Sequence, residues 1–310
     1  MIEKKVLESY KDYGRVLCIS NGIIEAYVTI DLGPRIIRFG FIDGQNILCS
    51  TRSDFVGKTD KSFEDYWGKG KCWENFGGHR IWATPEVFPE TYSPDDTKVK
   101  YELTEYGAIF TKDDEPTGLR KQLAIEMEEN SPDMDVKNII TNVGSAEKEF
   151  SVWSITVCNK GGTLIAPMNR RDTGLLSNRI ISVWPYTDMS DKRIKFTDKF
   201  FVLKQSEVSP RPIKFGFDLE AGMVFYTIGE DTFCKTFVTE HGGENVYPDG
   251  GCSFETYSCD VMTEVESLSP IRCVAPGKSA TQDERWSLYK TPKNASFETD
   301  EQITDFMKKL

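Results

Sequence analysis

The sequence predicts an all-β protein built as two large antiparallel sheets packed face to face, as one domain over residues 1–310. Three observations carry this. Short apolar runs recur along the chain, separated by Gly, Pro, Asn and Asp turn signals, which is the pattern of strands joined by tight connections. Aromatic residues, which fit a pleated and half-buried surface, make up 12% of the chain. Strong helical periodicity is found at one place only, the C-terminus. So many strands need two packed layers, because a single open sheet of that size curls or splits.

The elements follow in order. Ala26, Val28, Ile30 and Leu32 alternate with polar Thr29 and Asp31, a period of two. Gly33-Pro34 ends that strand, and an extended pattern resumes from Arg35 to Ile42, stopping at the hairpin signal Asp43-Gly44. Further strands are expected at 99–103, 107–111, 119–128, 136–142, 148–158, 180–184, 199–204, 212–218, 222–228, 232–238, 252–258, 261–268 and 280–290. Turn residues lie between them, as at Asn142-Val143-Gly144, Lys160-Gly161-Gly162, Glu220-Ala221-Gly222 and Pro248-Asp249-Gly250. A short helix is expected near 60–67. At the C-terminus Thr299 and Gln302 form a capping box, and Ile303, Phe306, Met307 and Leu310 share one helical face. Lys308 and Lys309 complement the negative end of its dipole.

Charge narrows the partners. Lys and Arg total 38 against 49 Asp and Glu, a net charge of −11. Nucleic acid and anionic membrane both call for a basic footprint, so neither is expected. The two histidines, His79 and His241, exclude a three-histidine zinc site, and no metal is expected. No glycine-rich fingerprint opens a helix, so no nucleotide cofactor is expected, nor any other. No apolar run reaches 18 residues, and Met1 to Arg15 shows no apolar leader core. The eight cysteines include no C-x-x-C pair, and most sit in strand-like context, as buried free thiols do in a reducing compartment. The expectation is a cytoplasmic protein, monomeric or weakly homodimeric.

Five segments can carry chemistry. In Gly77-Gly78-His79-Arg80-Ile81-Trp82 the glycines allow positive φ or a close backbone approach. The segment is either a pocket junction, with Arg80 a forked donor and His79 an acid or base, or a turn followed by a strand packing Ile81 and Trp82. Glu264 and Glu266 fall on one face of a strand, about 7 Å apart. Crowding there raises the proton affinity of at least one and makes a general base, unless that face is simply solvated. Trp153 is a sugar platform or a core residue. Arg170 and Arg171 bind an acidic group or pair with surplus carboxylates, and His241 sits in a glycine-rich loop that either covers a site or is solvated.

The segments Val28–Gly40 and Gly44–Leu48 resemble the opening hairpin of galactose mutarotase-like proteins. Glu264–Pro270, Val274–Gly277 and Glu284–Leu288 resemble their closing strands, and Gly77–Glu86 is similar to a bacterial branch of that superfamily. The likeness spans residues 23–290. It implies a β-supersandwich with a sugar cleft on a concave sheet face, and an aldose 1-epimerase-like activity on a small carbohydrate. There a late glutamate takes the anomeric proton and a histidine protonates the ring oxygen. The glutamate corresponds to Glu266, with Glu264 or Glu255 as substitutes. Thr156–Gly162, where the family carries its acid histidine, has none, which leaves His79 for that role. Arg35, Arg80, Trp82, Trp153, Glu255 and Glu264 are then the sugar-binding residues. The rival expectations are a non-catalytic sugar-binding protein, and a glycosidase or lyase using paired carboxylates.

Overall fold

The computed structural model describes residues 1–51, 57–209, 211–240 and 246–310. It forms two ten-stranded antiparallel sheets and a two-stranded ribbon, Lys148–Phe150 with Arg272–Val274. In spatial order the first sheet runs Glu3–Leu7, Val16–Ser20, Ile24–Thr29, Ile36–Phe41, Gly78–Ala83, Val152–Asn159, Met262–Leu268, Phe254–Ser258, Ile213–Phe217 and Ile181–Val183. The second runs Ile194–Phe196, Phe200–Lys204, Thr163–Pro167, Met223–Ile228, Asp231–Phe237, Ser279–Lys290, Asp133–Asn142, Leu119–Met127, Gly107–Asp114 and Lys100–Leu103. The expected strands are found, with 148–158 split at Ser151. Glu3–Leu7, Thr163–Pro167, Ile194–Phe196 and Arg272–Val274 are strands that periodicity does not announce, being short or polar.

Alternation sorts each strand between the inter-sheet core and an outer face. The core holds Phe39, Phe233 and Trp286 in mutual edge contact, with centroids 5.2–5.9 Å apart. Phe201, Phe215 and Phe217 extend it. The C-terminal helix, Asp300–Met307, has the expected Thr299–Gln302 capping box and lays Ile303 and Phe306 on the outer face of the second sheet. The segment 58–95, with the helix Lys61–Trp67, covers part of the first sheet's outer face through Phe63, Trp73 and Tyr92. Gly77 and Gly78, at φ +71° and +66°, carry that segment into its strand. A Cβ at either would collide with the carbonyl oxygens of Cys49 or Ile36. Among the described residues no helix is long and apolar enough to cross a membrane.

Candidate functional site

The strand Gly78–Ala83 pairs with Val152–Asn159, which pairs with Met262–Leu268, which pairs with Phe254–Ser258. Their outward residues include Arg80, Trp82, Trp153, Met262, Glu264 and Tyr257, which line a cleft of 530 Å³. Lys58, Trp73, Asn75, Glu86 and Tyr92 wall it from the covering segment, and Trp184, Tyr186 and Lys214 close the other side. The sequence-predicted Arg80, Trp82, Trp153 and Glu264 therefore meet in one place.

Beneath this cleft lies a charged cluster. Glu255 and Glu266 are directly opposed across their strands, and both are fully buried. Lys214 Nζ lies 2.7 Å from Glu255 Oε2 and 3.2 Å from Glu266 Oε2, between the rings of Trp153 and Trp184 at 4.6 and 4.7 Å. Trp153 Nε1 donates to Glu266 Oε2 at 2.8 Å. Burial raises both carboxyls above the usual range, Glu255 strongly, while Lys214 opposes it. Burial works against the Lys214 ammonium, yet Glu266 and Glu255 hold it above its ordinary value. Two carboxylates thus share one cation in a dry site, and the pair holds a proton more readily than ordinary glutamates.

Neither Glu266, expected as the base, nor Glu255, expected to bind sugar, lines the cleft, which both meet through Lys214 because burial beneath it takes them off its surface. Glu264 does, and Arg80 Nη2 donates to its Oε1 at 3.1 Å. Arg80 also stacks on Trp82, 4.5 Å from the ring centre. Several buried atoms here have no partner: Trp73 Nε1, Trp82 Nε1, and Arg80 Nε and Nη1. Buried polar groups are normally paired, so a cluster of open donors on one wall of a cleft sets this region apart.

Two further expectations are corrected. His79 does not face the cleft. Alternation that sends Arg80 and Trp82 outward sends His79 into the inter-sheet space, where it packs edge-on against Trp286 at 5.1 Å. Lys235 Nζ donates to Thr156 Oγ1 at 3.0 Å, so the hydroxyl is left to donate to His79 Nδ1 at 2.9 Å. His79 Nε2–H then donates to Asn138 Oδ1 at 2.8 Å. Burial lowers the imidazole to about 4, so it stays neutral near pH 7. Lys235 also meets Glu284 at 2.8 Å, and Glu284 accepts from Ser267 and Trp286 at 2.5 and 2.8 Å. Arg35 is likewise away from the cleft. It is fully buried and donates to Asp95 Oδ2 at 2.7 Å, and Lys112 completes that carboxylate at 3.2 Å. This pairing ties the first sheet to the edge of the second.

Arg171 pairs with Glu220 at 3.2 Å, which fits the ion-pair alternative, and neither it nor Arg170 lines the cleft. His241 lies outside the described residues. Lys214 was not foreseen, although a lone lysine in Ile213-Lys214-Phe215-Gly216-Phe217 is a legible signal of an outward charge in an otherwise apolar strand. A second hollow of 690 Å³ lies on the second sheet, lined in part by Glu126, Asp135, Lys137, Asp283 and Arg285. Its charges pair across strands, as Lys137 with Asp283 at 3.7 Å and Arg285 with Asp135 at 3.2 Å. Among the described residues no group of three His, Cys, Asp or Glu side chains could hold a metal ion.

The architecture is shared with solved structures. A TPR-domain containing protein from Parabacteroides distasonis matches with a TM-score of 0.58 at 13% identity, over 90% of this chain and 48% of that one. A galactose mutarotase-like protein from Clostridium acetobutylicum matches at 0.53 and 11% identity, over 94% of this chain and 98% of that one. Another from Lactobacillus casei matches at 0.52 and 10%, over 88% and 100%. The chain thus spans about half the length of the first and nearly all of the other two. At such identities the likeness is one of fold, and the fold is galactose mutarotase-like. No family model matches the chain, and no curated protein matches it in sequence.

Proposed function

We propose that this cleft binds a carbohydrate and that the protein is a mutarotase-type, aldose 1-epimerase-like isomerase. The observation that carries the binding reading is the set of open buried donors among the rings of Trp73, Trp82, Trp153 and Tyr257. Indole and phenol faces stack on the apolar faces of sugar rings, and fixed donors select hydroxyl positions. The mutarotase-like names of the fold neighbours support the same substrate class.

Anomer exchange needs a base for the anomeric hydroxyl and a donor for the ring oxygen. Glu264 is the carboxylate at the wall and the base in this reading, hydrogen-bonded to Arg80 Nη2 at 3.1 Å. As the bond to C1 breaks, a proton passes from the Glu255–Glu266 pair, which holds one readily, through Lys214 to the ring oxygen, so Lys214 relays it and remains an ammonium. Glu266 is then a positioning and proton-holding residue that acts through Lys214. After rotation about C1–C2, the same steps in reverse close the ring. His79 has no part.

Anomer exchange in aldoses, followed by NMR magnetisation transfer, tests this. Glu264→Gln is expected to lose about 10²- to 10⁴-fold in rate. Full rate in that variant, or no acceleration of any aldose, overturns the catalytic reading. A non-catalytic sugar-binding protein is the second reading, favoured by the burial of Glu266 away from the cleft. Saturable saccharide binding without turnover selects it.

A further inference from the structure

We infer that the Trp73–Arg80–Trp82 end of the cleft is a subsite for a carboxylate carried by the bound sugar, which makes the ligand class a uronate. The inference rests on the sugar-binding reading and sharpens it. The four open buried atoms at this end, Trp73 Nε1, Trp82 Nε1, Arg80 Nε and Arg80 Nη1, are all donors. Asn75 Nδ2 adds a fifth donor, since its contact is the Met262 sulfur at 3.8 Å, a weak acceptor. Trp73, Arg80 and Trp82 are only 7%, 4% and 3% exposed, so solvent does not satisfy them. They form one cluster: the indoles are 5.8 Å apart, and the guanidinium sits on Trp82.

A hydroxyl brings a hydrogen that needs an acceptor of its own, and the carboxylate beside this array, Glu264, already takes Arg80 Nη2 on Oε1. A carboxylate brings acceptors alone, on two oxygens. Charge agrees. Lys58 stands at the rim, 5.8 Å from the Trp73 ring and 5.0 Å from the Tyr92 ring. Glu264 is matched by Arg80, Lys214 is taken up by Glu255 and Glu266, and Glu86 accepts from the Tyr92 hydroxyl at an exposed position. That leaves Lys58 and the open donors for the ligand, enough for a monoanion and too little for a phosphate dianion.

Calorimetric titration of the full chain separates the cases. The probes are methyl glucuronide and methyl galacturonide, their neutral methyl glycosides, and glucose 6-phosphate, each at low and high salt. One uronide is expected to bind about tenfold or more tightly than its neutral partner. That gap should shrink with salt, because Lys58 is exposed. Trp73→Phe and Trp82→Phe keep an aromatic ring and delete the donors, and should close the gap severalfold by weakening the uronide more than its neutral partner. Neutral glycosides that bind as well as uronides overturn the subsite and leave the sugar-binding reading standing. Tighter binding of the phosphate overturns the uronate assignment. If no probe binds, both readings fall.

Discussion

Four strands, Gly78–Ala83, Val152–Asn159, Met262–Leu268 and Phe254–Ser258, are polar on both faces, and the two faces are finished differently. On the inner face His79, Thr156, Lys235, Asn138, Ser267 and Glu284 form a chain in which each donor meets an acceptor. On the outer face two indole N–H groups, half of a guanidinium and oxygens of Glu255 and Glu266 lack hydrogen-bond partners, against the Ser154 hydroxyl alone among the strand residues of the inner face. The contrast separates two meanings of buried polarity. A closed network costs desolvation once and then fixes register between sheets. An open one is tolerated where a ligand, absent from the free chain, supplies the partners.

This contrast can be broken from either side. The largest effect is expected from Glu284→Gln, which leaves the Lys235 ammonium buried without its counter-charge. Denaturant unfolding should show a loss of about 3–5 kcal/mol. A loss below about 1 kcal/mol would mean that the network is not closed around that pair.

His79 gives the next effect and a pH signature. Its pKa when folded is about 4 and its ordinary value 6.5, so the folded state resists protonation. The stabilisation from keeping it neutral is complete above the unfolded value and is lost as pH falls towards 4. The difference amounts to roughly 3 kcal/mol. Glu255 and Glu266, raised in the folded state, act in the opposite sense. Comparison with His79→Gln isolates the histidine: the stability gap between the two proteins should narrow from pH 7 to pH 4. A gap independent of pH would contradict the assignment.

Trp153→Phe belongs to the boundary between the faces. It removes the donor to Glu266 and keeps most of the ring, so unfolding should show a cost of about 1–3 kcal/mol. The smallest stability effect belongs to the cleft. Trp73→Phe and Trp82→Phe should each cost only about 1 kcal/mol, the packing lost with a smaller ring, because the donors they delete already lack partners. Their effect should appear in saccharide affinity instead.

The sequence made the strands legible because alternation and turn residues are local. It also placed Glu264, Arg80, Trp82 and Trp153 on outward positions of adjacent strands. It misassigned His79 because the motif is read as a unit, whereas a strand sends its neighbours His79 and Arg80 to opposite sides. The strand Val152–Asn159 shows why the choice of face is hard. Its apolar residues, Trp153, Ile155 and Val157, pack outward with Trp82, while Ser154 and Thr156 face the interior, where Lys235 donates to the Thr156 hydroxyl and the Ser154 main-chain carbonyl. That inversion depends on Lys235, Asn138 and Glu284, which reach across from the other sheet and have no local signature. Depth was equally hidden: Glu264 and Glu266 share a face, but Lys214 and Trp153 cover only the second.

The six tryptophans allow the central claim to be tested in one experiment. In a ¹⁵N-labelled chain, the indole N–H resonances are followed while a saccharide is added. Those of Trp73 and Trp82, open in the free chain, should shift strongly and saturably, while that of Trp286, already bonded to Glu284, should stay in place. Binding that leaves Trp73 and Trp82 unmoved would contradict the account.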